Sequence, residues 1–216
     1  MKSDTPKPNL KTLYEYSEAS RKQFPQFQAE PDTLLQISVT AAERGDVEGA
    51  MVYLCNTLRL AFVLDNIAWL KSLGKYEKTL FDSYTITRLN FQGWQLALLK
   101  QLFNMADRPA LLAAGDPLPG AGPFTVFRGV AGKGAKRRLR GISWTADRDR
   151  AIWFAKRFAG RGLETPAVFC AVITAAQVYA YTNDRKEQEF LCDIGDGDKL
   201  RRVWPGAAGL NEKGAK

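Results

Sequence analysis

Apolar residues in the first half of the chain recur at three- and four-residue spacing, while in the second half they gather in short runs. Val47, Ala50, Met51, Leu54, Leu58, Ala61 and Phe62 follow the helical period, and the pattern continues through Trp69 to Gly74. Together they predict one long helix, capped at its start by Asp46. Upstream, Leu34, Leu35, Ile37 and Val39 predict a helix from Asp32, an N-cap following Pro31, to about Arg44, with Gly45 as its stop. Downstream, Leu89, Trp94, Leu96, Leu98, Leu99, Leu102 and Phe103 predict a third run from about Asp82 to Met105. These stripes are core-facing by pattern, so residues 32–108 are expected to form a helical domain. Residues 1–31 hold three prolines before Glu30 and many charges. They predict a loosely held arm with one short helix from Leu10 to Phe24, ending before Pro25.

From Ala106 to Gly122 the character changes, ending in Gly115-Asp116-Pro117-Leu118-Pro119-Gly120-Ala121-Gly122. Turn-formers at that density cannot continue a helix, so the domain boundary is placed there. Beyond it come β-like runs: Phe124 to Val130, Gly141 to Thr145, Ala167 to Ile173, Val178 to Tyr181, Glu189 to Ile194 and Lys199 to Trp204. One helix interrupts them, from about Asp147 to Ala159, with Ala151, Phe154, Ala155 and Phe158 on one face. The fold class is therefore α+β: a helical N-terminal region, an α+β domain over 120–205 and a frayed tail over 206–216.

Composition removes several chemistries. The chain has no histidine, which excludes Ser-His and Cys-His relays and any His-bearing zinc site. Cys55, Cys170 and Cys192 lie in apolar runs without metal or disulfide spacing, as small buried hydrophobes do. With 31 Lys and Arg against 23 Asp and Glu, a formal charge of +8, anionic partners are favoured, nucleic acid among them. Lys136-Arg137-Arg138-Leu139-Arg140, after a Gly-rich lead, reads as a mobile basic loop. The most apolar window, Leu54 to Leu73, carries Arg59, Asp65 and Lys71, which argues against a membrane span. Met1 to Lys11 is polar, so no signal peptide and a cytoplasmic location are expected.

The candidate chemistry centres on Asn183 to Asp193. Glu187 and Glu189 stand two apart ahead of the apolar Phe190, Leu191 and Cys192, so on a strand both carboxylates would share one face. Like charges so placed raise each other's pKa. The arrangement suits one carboxylate stabilising a developing cation while the other orients or deprotonates an acceptor. Earlier in the chain come Phe127-Arg128-Gly129 and Ile142-Ser143-Trp144-Thr145.

Strand arginine with glycine, Ser-x-Thr leading into a helix, and E-x-E, in that order, resemble the R-S-E class of mono-ADP-ribosyltransferases over roughly Phe124 to Asp193. The resemblance leaves residues 1–110 unaddressed. It implies an ADP-ribosyltransferase-like split β-sheet domain, NAD as ADP-ribose donor, no metal and a macromolecular acceptor, a protein arginine first. Glu189 would stabilise the oxocarbenium-like state and Glu187 would activate the acceptor. Arg128, with Gly129, would face the pyrophosphate or ribose side of NAD. Ser143 would orient Glu189. Thr145 falls in the cofactor-binding set by resemblance, though its place before Asp147 suits an N-cap. An aromatic that stacks on nicotinamide has Trp153 or Phe154 as candidates. The family's Ser-Thr-Ser is here Ser143-Trp144-Thr145, and on a strand the indole is expected to point away from the pocket. Small members of the class serve as toxins, effectors or phage proteins. Two alternatives stay open: an NAD glycohydrolase with the same residues, and an inactive basic module that binds nucleic acid or a protein.

Overall fold

The computed structural model describes residues 6–27, 29–87, 95–160 and 162–205. The chain divides into two compact units, Met1–Gln95 with Gln101–Ala110, and Leu96–Lys100 with Leu111–Lys216. The architecture is α+β, with helices first and one six-stranded sheet after them.

In the helical unit, α1 (Lys11–Gln23), α2 (Ala29–Glu43), α3 (Val47–Met51), α4 (Arg59–Asp65), α5 (Ile67–Ser72) and α6 (Tyr76–Ile86) bury Leu13, Leu60, Phe62, Leu70, Tyr76 and Leu80. Five expectations need correction here. The expected arm is built into the unit from residue 9 onward. Asn9 N–H donates to Asn66 Oδ1 at 2.6 Å, and Thr12 Oγ1 donates to Asp65 Oδ2 at 2.6 Å. Helix α2 starts at Ala29 rather than at Asp32, so Pro31 lies in its first turn, where a missing N–H costs nothing.

The long helix expected over 46–74 is three short ones. Asn66 explains the second break: its backbone leaves the helical region, at φ −120° and ψ 20°. Its side-chain amide donates to Phe62 O at 3.0 Å, taking the acceptor that its own N–H would use in a continuous helix. Likewise the run expected over 82–105 is not continuous. Helix α6 stops at Thr87, which turns extended at ψ 102°. Then α7 (Leu96–Asn104) begins after Gln95, and the part carrying Leu89 and Trp94 lies outside the described residues. A short α8 (Arg108–Ala113) occupies part of the stretch read as turns, with Pro109 in its first turn.

The second unit is built on β1 (Phe124–Val130), β2 (Ser143–Thr145), β3 (Ala167–Ile173), β4 (Val178–Thr182), β5 (Glu189–Cys192) and β6 (Arg201–Trp204). All neighbours are antiparallel, in the order β4-β5-β2-β1-β3-β6. At its centre, β1 and β2 share one register pair, Phe127 with Thr145, whereas β1 and β3 pair along their whole length. One face of the sheet holds the core of Val126, Trp144, Ala171, Ile173, Phe190 and Cys192. Against the other lies α9 (Arg148–Ala159), through Ala151 and Ala155 on Phe127 and Val168. Gly129 permits that approach, because a Cβ there would fall on the Ala151 carbonyl oxygen.

The basic loop, expected to be mobile, is tied to neighbouring loops at two of its arginines. Arg137 donates to Gly132 O and Thr165 O, both at 3.0 Å, and Arg140 donates to Gly195 O and, at 3.1 Å, to Asp196 O. Guanidiniums carry five donors in a rigid fork, and here the forks clip one loop to two others. Among the described residues no helix is long and apolar enough to cross a membrane.

Candidate active site

Glu189 opens β5 and lies in register with Thr145 of β2, while Ser143 faces Leu191. By strand alternation Ser143, Thr145 and Glu189 share the face covered by α9, and Trp144 points to the opposite core, 1% exposed. The expectation for the indole thus holds; its Nε1 donates to Gly141 O at 2.8 Å. Diagonal partners on one face are within side-chain reach. Ser143 Oγ accordingly donates to Glu189 Oε1 in a very short contact.

Burial pushes the Glu189 carboxyl above its ordinary range, opposed next by the Ser143 hydrogen bond. The Glu187 charge adds to the rise, and Arg185 and Arg128 oppose it. A carboxylate in this setting is costly to ionise, directed by one hydroxyl, and placed to stabilise positive charge that develops beside it.

Glu187 does not share the strand. It lies in the loop before β5, and Gln188, with φ 45°, adopts the left-handed region and breaks the alternation that would align the two carboxylates. That expectation is corrected, although the two charges are near enough to interact. The loop is fastened at several points. Thr145 Oγ1 donates to Glu187 O, Ala146 N–H donates to Gln188 O at 3.0 Å, and Gln188 N–H donates to Asn183 Oδ1 at 3.2 Å.

Thr145, 5% exposed, also accepts from Asp147 N–H at 2.9 Å. It is not the cap of α9. Asp147 is: its Oδ1 accepts from the N–H groups of Asp149 at 2.8 Å and Arg150 at 3.0 Å. Thr145 instead ties the Glu187 loop to that cap.

Arg128, part-buried on β1, donates through its guanidinium to Ser143 O and, at 3.2 Å, to Arg138 O. It therefore braces the backbone of the serine strand where β1 and β2 part, and its charge favours ionised Glu189. Gly129 seats α9. Trp153 on α9 is 46% exposed, with the guanidiniums of Arg150 and Arg157 at 5.6 and 5.1 Å from its ring, and Phe154 meets it edge-on at 5.0 Å. Arg150 also donates to Arg185 O at 3.3 Å, so α9 touches the Glu187 loop.

The site thus brings together Arg128, Ser143, Thr145, Glu187 and Glu189, with Trp153 joined through Arg150. Sequence reasoning missed Asp147, Asn183 and Asp116. An Asp one residue ahead of an apolar-periodic run was signal enough for the cap. Asn183 stood in a turn-like run without revealing which N–H it would serve. A cavity of about 190 Å³ lies within the helical unit, lined by Leu13, Tyr16, Leu34, Tyr53 and others; it contains none of the candidate residues. Comparison of the chain with protein-family models, curated proteins and solved structures returns no match.

Proposed function

We propose that the chain is an NAD-dependent mono-ADP-ribosyltransferase of a macromolecular guanidinium acceptor, built on an ADP-ribosyltransferase-like split sheet. The observation that carries the proposal is the Ser143 hydrogen bond to Glu189, a carboxylate with a raised pKa beside the near-split of the sheet, braced by Arg128. Arginine, serine and glutamate from three separated stretches lie close together there; Ser143 meets Glu189 as the resemblance implies, whereas Arg128 directs donors to the Ser143 and Arg138 carbonyls instead of to the NAD side expected of it.

In this mechanism the bond between nicotinamide nitrogen and ribose C1′ breaks, and its electron pair leaves with nicotinamide. Ionised Glu189 stabilises the resulting positive charge on the ribose. Ser143 aims that carboxylate and Arg128 fixes the strand bearing Ser143. Glu187 takes the proton from the guanidinium that attacks C1′. If water intercepts the cation instead, the product is free ADP-ribose. Purified protein with NAD and an arginine-rich protein separates the roles. Glu189→Gln should abolish both nicotinamide release and acceptor labelling, whereas Glu187→Gln should abolish labelling and retain release. Glu189→Gln with wild-type rates contradicts the proposal.

One observation favours a second reading, a basic module for single-stranded nucleic acid: exposed Trp153 with two guanidiniums over it. Oligonucleotide shifts that weaken steeply with salt and on Trp153→Ala, without NAD chemistry, would select it.

A further inference from the structure

We infer that Asp116 is a positioning residue for Glu187, and that its grip on the Asn183 loop sets how much of the reaction goes to an acceptor rather than to water. The inference rests on the site reading given above.

The segment after α8 lies along the edge of β4, the outermost strand on that side of the sheet. Asp116 N–H donates to Tyr181 O at 2.8 Å, and Asp116 Oδ2 accepts from Asn183 N–H at 2.7 Å. Gly115 sits flush on the same strand, because a Cβ there would fall on the Tyr181 carbonyl oxygen. Asn183 in turn organises the whole loop. Its carbonyl accepts from Lys186 N–H at 2.8 Å, and its side chain accepts from Gln188 N–H at 3.2 Å.

The loop needs such support. Lys186 and Gln188, the residues flanking Glu187, both take left-handed backbone conformations, at φ 54° and 45°. Non-glycine residues persist there only when their surroundings over-determine them. Thr145, Ala146 and Arg150 hold the far end of the loop and its crest. Asp116 holds its entry, from a stretch of chain far away in sequence. Asp116 bonds to Tyr181 and Asn183, whereas the carboxylate of Glu189 is directed by Ser143.

Slackening the loop therefore displaces Glu187 and leaves Glu189 aimed. In transfer, a guanidinium nitrogen bonds to ribose C1′ as the C1′–nicotinamide bond breaks, and the guanidinium proton passes to Glu187. In hydrolysis, water supplies the oxygen and its proton passes to solvent. Loss of the Asp116 contact depresses the first route more than the second.

The test uses the full chain, its Asp116→Ala, Asp116→Asn and Gly115→Ala variants, and two readouts. Trypsin cuts after Arg185 and Lys186 in the loop, and its rate follows loop opening. Removing one hydrogen bond should speed cleavage about fivefold in Asp116→Ala, and Gly115→Ala should do likewise by steric lift. Asp116→Asn, whose amide oxygen still accepts from Asn183 N–H, should stay near wild type. With NAD and agmatine as guanidine acceptor, the ratio of ADP-ribosyl-agmatine to free ADP-ribose should fall about fivefold in Asp116→Ala and recover in Asp116→Asn. Unchanged cleavage in both Ala variants overturns the inference, as does faster cleavage with an unchanged product ratio. A wild-type chain that releases no nicotinamide contradicts the site reading and the specificity role with it, while the cleavage rates still decide whether Asp116 holds the loop.

Discussion

The surroundings of Glu189 oppose its ionisation, and that has a measurable consequence for stability. Its native pKa is raised above the ordinary value of 4.5, chiefly by burial, so the native chain binds its proton more tightly than the unfolded chain. The contribution to stability is full below that value and is lost as pH climbs from it through the raised native value. Glu189→Gln removes the charge and keeps an oxygen for Ser143. Its melting temperature should therefore exceed wild type at pH 7.5 and match it at pH 4, each kcal/mol shifting the midpoint roughly 2–4 °C. An equal difference at both pH values contradicts the burial of the charge. Ser143→Ala removes the interaction that holds the pKa down, so the acid limb of the pH–rate profile should move to higher pH while the rate falls. Ser143 and Glu189 were legible in the sequence because each belongs to a strand, where alternation fixes the facing; Arg128, between Phe127 and Gly129 on β1, is turned by the same alternation to the other face and reaches the backbone of Ser143 instead of the ligand side expected of it. Glu187 was not, because the left-handed turn at Gln188 is a decision of the backbone that residue types alone do not announce.

At the scale of elements, two contacts position the site. Helix α9 closes on β1 through Gly129, and a methyl group there has no room. Gly129→Ala should cost about 1–3 kcal/mol, read as a lower urea midpoint with an unchanged slope. Thr145 joins the Glu187 loop to the start of α9 by donating to one and accepting from the other. Thr145→Val should lower acceptor labelling about tenfold, the effect of one lost buried hydrogen bond with its partner left unpaired, and Thr145→Ser should restore it. Equal labelling in both variants would remove Thr145 from the positioning set. The β-like runs and α9 were readable to within two residues, since burial on one or both faces stamps a clear period on them. The helical unit was less so: Asn66 and Thr87 interrupt apolar patterns that carry on past them, and the side-chain hydrogen bond that breaks the helix at Asn66 leaves no periodic mark.

At the scale of the whole molecule, the +8 charge and the absence of histidine were the sequence's strongest global statements, and both still bear on function. The charge of the basic run stays where it is, but Arg137 and Arg140 direct donors to backbone carbonyls, most of them in neighbouring loops. Those contacts were invisible in the sequence, since their acceptors are main-chain atoms far away along the chain. The division into a helical and a sheet unit places all the candidate chemistry in the second. On the proposed function, Glu189 makes this unit an ADP-ribosyl donor site. Wild-type protein and its Glu189→Ala variant, incubated with NAD labelled on the adenylate half and a cell extract, test it most directly. Label should appear on a macromolecule with wild type and not with the variant. Equal labelling by both proteins, or no labelling and no nicotinamide release by wild type, would contradict it.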